Sequence, residues 1–353
     1  MFYKGKNVLV AGGAGMSGQS LIRKLLEQGA YVRATQYKSR KITLAHKSLE
    51  VVQCDLLNDS EARSVFQDMD IVFLAAAEVG GAKLIREDPS RLIMYNLELH
   101  AKLIHLAARV GVQKCAFISS SYVYPDTGKP NIESEGFRGD PWIPMNYGLG
   151  WVKRYLETLC KHFHLVGKTD YAIIRPTAIY GPHDKFDLEQ SHVIPALIVK
   201  AVNRMDPYEV LGNGEDIRCF TYVDDLVDGL MLTAEKYAVA EALNICTRET
   251  HTVKDVVRIL LDCLNFHPKV VFNSNKPSVI PYKVSDSSRA RELIGWEAKI
   301  TLEEGLKRTV DWYVGHTRSL RGGEIEMEDE IDHHLQEGPA LNSRDAGSAH
   351  RRL

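Results

Sequence analysis

No run of about 18 uninterrupted apolar residues occurs in this 353-residue chain, so no membrane-spanning helix is predicted. Neither sign of charge prevails. The 44 Lys and Arg stand against 46 Asp and Glu, a formal net charge of −2, and no Lys/Arg-rich run is present. A strongly basic nucleic-acid binder is thereby excluded. Cysteine is sparse: Cys54, Cys115, Cys160, Cys219, Cys246 and Cys263 each lie alone in an apolar segment, with no CxxC or metal-ligand spacing. They read as reduced core thiols, and no bound metal is expected. Met1 to Lys6 is polar and leads straight into an apolar strand, without a signal-peptide layout. The expectation is a soluble cytoplasmic protein whose partner is a small molecule chosen by a pocket, with no nucleic acid and no membrane.

What is present is an alternation. Short β-branched runs (Asn7–Ala11, Tyr31–Ala34, Val51-Val52, Asp70–Leu74, Cys115–Ile118, Tyr171–Ile174) alternate with amphipathic stretches at Gly18–Gln28, Ile93–Val110 and Gly150–His162. This βαβα rhythm predicts an α/β fold with a Rossmann-type, doubly wound parallel sheet over residues 1–182. After Pro182 the rhythm loosens into a smaller mixed α/β substrate lobe, assigned to 183–214 and 251–315, with segments of 215–250 returning to the first domain. Residues 322–353 begin acidic and end small and polar, the composition of a disordered tail.

Gly12-Gly-Ala-Gly15-Met-Ser-Gly18 follows the first strand and opens the first helix. Glycines there allow a tight turn, let a pyrophosphate approach the helix N-terminus and keep helix and strand close, so the segment predicts dinucleotide binding. An NAD-binding unit usually ends its second strand with an acid for the ribose 2′-hydroxyl. Here that region reads Arg33-Ala-Thr-Gln-Tyr-Lys-Ser-Arg40. Arg33, Lys38 and Arg40 would welcome a 2′-phosphate, so NADP is predicted over NAD. Asp55, after the third strand, reads either as a contact to the adenine amino group or as a strand-end cap. Asp224 and Asp225 read as caps of the helix that starts there.

Four further segments are more specific: Leu74-Ala-Ala-Ala-Glu-Val-Gly-Gly81, Ser119-Ser-Ser-Tyr-Val-Tyr-Pro125, Arg175-Pro-Thr-Ala-Ile-Tyr-Gly-Pro-His-Asp-Lys-Phe186 and Ser191-His-Val-Ile-Pro-Ala-Leu197. Together they resemble the extended short-chain dehydrogenase/reductase family, and within it the nucleotide-sugar epimerases and reductases related to GDP-fucose synthase. The resemblance runs from Asn7 to Tyr313. It implies that Gly12, Gly15, Met16, Ser17, Gly18, Asp55, Leu56, Ala75, Ala76, Lys153, Pro176 and Ala178 lie against the cofactor. It places Val79, Gly80, Ser121, His192 and Leu211 on the substrate side, with Lys200, Arg218 and Lys283 as cations for the diphosphate. Leu211 stands where the GDP-fucose enzymes have a base-stacking Trp. Ser120 is implied as the hydroxyl on the sugar oxygen being oxidised or reduced, and Lys153 as the lysine that holds the nicotinamide ribose. A homodimer formed by the helices Ile93–Val110 and Gly150–His162 is implied in the same way.

Departures from the family pattern bear on the chemistry. Ser121-Tyr122 replaces the Asp-Glu of dehydratases, which argues against dehydration. Tyr122 also stands where the related 3,5-epimerases carry a Cys, while their His is retained as His192. The expected Tyr-x-x-x-Lys is broken, because four residues before Lys153 lies Leu149, and Tyr147 is six residues before it. Three readings stay open at this level. Tyr147 reaches the site from an irregular helix start that Gly148 and Gly150 permit; Tyr122 or another group supplies the proton; or the site binds without turning over. The functional expectation is an NADP-dependent nucleotide-diphosphate-sugar epimerase acting through a transient 4-keto sugar. The alternatives are a 4-keto reductase and a catalytically silent binder.

Overall fold

The computed structural model describes residues 1–38, 40–80, 88–142, 147–188, 190–274 and 280–320, the last with side chains to 318. Gly81, Asn146 and the predicted tail 322–353 lie outside them. The chain divides into two compact units, Met1–Trp312 and Tyr313–Leu353.

Fourteen strands are described: β1 Asn7–Ala11, β2 Tyr31–Gln36, β3 Leu49–Gln53, β4 Ile71–Leu74, β5 Lys114–Ile118, β6 Asp170–Pro176, β7 Ala178–Tyr180, β8 Tyr208–Leu211, β9 Ile217–Arg218, β10 Phe220–Tyr222, β11 Ala242–Ile245, β12 His251–Thr252, β13 Val270–Asn273 and β14 Tyr282–Lys283. The helices are α1 Met16–Glu27, α2 Asp59–Phe66, α3 Pro89–Val110, α4 Tyr147–Val166, α5 Val193–Val202, α6 Val223–Lys236, α7 Val253–Cys263, α8 Ser288–Ile294 and α9 Leu302–Leu320.

Seven strands form one parallel sheet in the order β11-β6-β5-β4-β1-β2-β3. This is the predicted Rossmann-type arrangement. The strand order reverses between β1 and β4, which opens a crevice beyond their carboxyl ends. Val8 to Ala11 and Ile71 to Leu74 are buried throughout, as the central strands of a sheet covered on both faces must be. The shorter pairings β7–β10, β9 with β12 and β14, and β8–β13 make up the mixed part of the fold.

Three expectations change. The helix predicted over Gly150–His162 runs from Tyr147 to Val166. Asp224 and Asp225 lie inside the first turn of α6 and do not cap it. Asp224 instead accepts hydrogen bonds from Ser20 and Arg23 of α1, and Asp225 accepts from the backbone N–H of Lys299 and Ile300. Five of the six cysteines are buried, but Cys263, the last residue of α7, is exposed.

A polar network crosses the core between β5, α4 and β6. Glu157 on α4 pairs with Arg175 on β6 through two hydrogen bonds of 3.0 and 2.7 Å, and both side chains are 4% exposed. Ser119, just after β5, donates to the same carboxylate at 2.5 Å. Arg175 also donates to the Tyr124 hydroxyl and to the carbonyl of Glu133, and Tyr124 donates to Asn244 on β11. Two-pronged Arg–carboxylate geometry with every neighbour satisfied makes such a pair tolerable in a core, whereas removing one partner strands a buried charge. Glu157→Leu should therefore lower unfolding stability by roughly 3–5 kcal/mol, read from the denaturant midpoint. A loss below about 1 kcal/mol would show that the pair is not holding these elements together.

Candidate active site

The Gly-rich turn is shaped by what glycine lacks. Gly12 has φ +97°, and a Cβ there would come within 2.4 Å of the Ala76 backbone nitrogen. One at Gly18 would lie 2.3 Å from the carbonyl oxygen of Gly12, whereas one at Gly15 would meet only that oxygen, at 3.7 Å. The turn is thus packed hard on the β4 side and roomy at Gly15. Gly12 and Gly13 are tied to β2 through Thr35. Gly15 is the N-cap of α1, and no side chain caps that end, so the first amides of Met16, Ser17 and Gly18 form a helix terminus suited to an anion. A dinucleotide pyrophosphate fits this cradle.

Beyond it lies a cavity of about 370 Å³. Of the residues predicted for the cofactor, Ser17, Ala75, Ala76, Lys153, Pro176 and Ala178 line it; of those predicted for the substrate, Val79, Gly80, His192, Arg218 and Lys283 do. Ser120 and Tyr122 also face it. Ser120 follows β5 in extended backbone and caps the one-turn 3₁₀ segment Ser121–Val123, its Oγ accepting from the Tyr122 N–H at 3.1 Å. The hydroxyl proton remains to be donated elsewhere. Lys153 Nζ donates to the Ile118 carbonyl at 2.9 Å and lies over the Phe117 ring. Burial pushes its pKa down to about 8, against the pull of Glu157 one turn further along α4.

The register of α4 bears on the first of the three sequence readings, that Tyr147 reaches the site from an irregular helix start. The helix is regular from Tyr147, so Leu149 and Lys153, four apart, share the face that lines the cavity. Tyr147 does not join them. It is 42% exposed and packs edge-on against Trp151. Gly148 and Gly150 serve close approach and not an irregular start: a Cβ at Gly148 would strike Ile93 of α3, and one at Gly150 would strike Pro141 and the Tyr122 carbonyl, each at 2.4 Å. Among the described residues the tyrosine lining the cavity is Tyr122. The Lys283 ammonium sits 3.8 Å from the centre of its ring. Burial raises the Tyr122 pKa and Arg218 opposes the rise. Burial, reinforced by Arg218, pushes Lys283 down to about 7.

Other predicted residues lie elsewhere. Arg33 is committed to Glu50 and to the carbonyls of Val65 and Gln67, which turns its guanidinium toward the end of α2. Lys38 and Arg40 are exposed beyond β2, Lys38 over the Tyr37 ring. Asp55 accepts from the Tyr37 hydroxyl and the Leu57 N–H, the geometry of a turn, and Leu56 is buried in the core beneath. Lys200 lines a separate outer cavity and donates to the Glu209 carbonyl. Leu211 is half exposed at the end of β8, and Ser121 is buried behind Tyr122. His192 opens onto the main cavity at the start of α5; withdrawal from bulk water lowers its pKa and nearby Asp184 opposes this.

His100 and Asn96 went unnoticed in the sequence, although both line the cavity from α3. Asn96 pins the backbone of Glu78 by two hydrogen bonds, and His100 donates to the Asn96 carbonyl. Burial, with the charge of Lys153, pushes His100 down to about 3, so its ring is neutral. The four-residue spacing of the pair on one amphipathic helix was the available signal.

Comparison with known proteins bears on the family and the fold. The profile of the NAD-dependent epimerase/dehydratase family matches residues 8–246. GDP-L-fucose synthase 1 of Arabidopsis thaliana is 31% identical over 317 residues, covering 88% of this chain and 94% of the relative. An epimerase from Methanothermobacter thermautotrophicus superposes with a TM-score of 0.80 at 26% identity, covering 90% of this chain and 95% of its own. The UDP-glucose 4-epimerase of Thermotoga maritima, solved with UDP-glucose, superposes with a TM-score of 0.76 at 26% identity, covering 88% and 99%. The chain belongs to the NAD-dependent epimerase/dehydratase family.

The lowered pKa of Lys283 has a thermodynamic sign. Between about 7 and its ordinary 10.5 the unfolded chain binds more protons at this residue than the folded one, so stability rises with pH across that window. The penalty is complete below the folded value. Lys283→Met removes it, so the variant's stability advantage over wild type should be largest at acid pH and shrink as pH climbs from 7 to 10.5, read from paired denaturant titrations. A pH-independent difference would contradict the lowered pKa.

Proposed function

We propose that this protein is an NADP-dependent epimerase of a nucleotide-diphosphate sugar, working through a transient 4-keto intermediate. One observation carries the reading: Ser120, Lys153, His192, Arg218 and Lys283, from five separate segments, meet at one cavity beside the glycine cradle. A bound nicotinamide supplies reversible hydride exchange at the sugar C4. The protein supplies the rest. The α1 terminus and Lys153 hold the cofactor, with Lys38 and Arg40 beside its 2′-phosphate. Arg218 and Lys283 neutralise the diphosphate. Ser120 donates to the sugar oxygen as carbonyl and alcohol interconvert, and a phenol moves its proton. Holding the keto sugar long enough for it to present its other face makes the difference between epimerase and reductase. The relatives fit a nucleoside-diphosphate substrate: a GDP-L-fucose synthase by sequence and a UDP-glucose-bound epimerase by structure. We place the protein in the cytoplasm as a homodimer whose α3 and α4 pair across the interface, where Met94, Trp151 and Tyr155 are exposed.

Incubating the purified protein with a panel of nucleotide sugars tests the reading. Retained NADP, an isomerised sugar and no net change in reduced-nicotinamide absorbance are expected. Stoichiometric NADPH loss on a keto sugar would make it a reductase, and binding with neither outcome would make it a silent binder.

The cofactor preference is tested separately. Lys38→Ala combined with Arg40→Ala should weaken NADP binding about tenfold or more and leave NAD nearly unaffected, measured by calorimetry. Equal losses for both would remove these residues from the 2′-phosphate.

A further inference from the structure

Leu149 stands at the position from which this family's helix tyrosine would reach the sugar, and Tyr122, from the turn after β5, lines the same cavity. Gly150 admits the Tyr122 carbonyl against α4, which brings the 3₁₀ turn, and with it the Tyr122 ring, up to the cavity. Lys283, from β14, stands over that ring at 3.8 Å. A cation over an aromatic face is held by the ring quadrupole, and it attracts a phenolate more strongly than a phenol.

Resting on the proposed function, we infer that Tyr122 is the proton-transferring phenol of this site and that the Lys283 ammonium over its ring is the charge that ionises it. In the oxidative half of the cycle the O–H bond of the sugar 4-hydroxyl breaks and its proton passes to the Tyr122 phenolate, while a bound nicotinamide would take up the C4 hydrogen as hydride. In the return half the phenol O–H breaks and its proton goes back to the sugar oxygen, while the same cofactor would give the hydride back to C4. Protons and electrons balance over the cycle, and no further reagent is consumed. The charged and titratable groups around Lys283 are Arg218 of β9, itself paired with Asp216 just before that strand, Tyr122 of the 3₁₀ turn and His192 at the start of α5. Arg218 discourages the charge on free Lys283, and a bound diphosphate restores it. The pairing is therefore strongest when substrate is present.

Two readouts test this. Tyr122→Phe should lower kcat by about 100-fold or more while UDP or GDP binding changes less than about twofold. Adding Leu149→Tyr to that variant should recover turnover, which also shows the fold to be intact. Turnover of Tyr122→Phe within about twofold of wild type would overturn the assignment. The second readout needs no turnover. With saturating UDP or GDP, the tyrosinate absorbance titration should contain one phenol ionising about one pH unit lower in wild type than in Lys283→Met, and absent from Tyr122→Phe. Identical titrations of wild type and Lys283→Met would overturn the role of Lys283. If the shift is found but no nucleotide sugar is converted, the pairing stands and the proposed function falls.

Discussion

The buried Glu157–Arg175 pair is the constraint on which the site depends. It locks α4 to β6 and, through Ser119, to the end of β5, the three elements from which the cavity takes Lys153, Pro176 and Ile118, with Ser120 two residues past β5. Charges this deep are held only if every neighbour is satisfied, and here Tyr124, Glu133 and Asn244 complete the shell. The result is a rigid floor. A hydroxyl that must meet a sugar oxygen within a few tenths of an ångström needs such a floor more than it needs its own hydrogen bonds.

On that floor the proposed phenol comes from the turn after β5 and not from α4. In a regular helix the position four residues before Lys153 points into the cavity, and Leu149 occupies it. The tyrosine we propose in its place lies in the turn after β5, whose Tyr122 carbonyl packs against Gly150 where a Cβ would collide with it. Lys153 is committed to the Ile118 carbonyl, whereas Lys283 stands over the Tyr122 ring and lines the cavity with Arg218.

The parallel sheet was legible because β-branched runs at βα spacing admit few other folds, and the glycine turn because its spacing and position are dictated by steric room. That Ser120, Lys153 and His192 would come to one cavity was legible through their motifs. Tyr147 was harder to judge: its spacing to Lys153 is visible in the chain, but whether the helix begins regularly depends on what Gly148 and Gly150 pack against, and Ile93 and Tyr122 are distant in sequence. Arg33 looked like a phosphate ligand because charge is legible and direction is not; strand alternation turned it toward Glu50. His100 and Asn96 were hidden because a polar residue on an apolar helix face looks the same whether it fills the core or lines a cavity.

The central claim is that the sugar is held between Ser120 and Tyr122, and the most direct measurement is a crystal structure of the protein with cofactor and nucleotide sugar bound. The account predicts the sugar 4-oxygen within about 3 Å of both Ser120 Oγ and Tyr122 Oη, with the diphosphate on Arg218 and Lys283. A 4-oxygen turned toward Tyr147, or a diphosphate seated at Lys200 in the outer cavity, would contradict it.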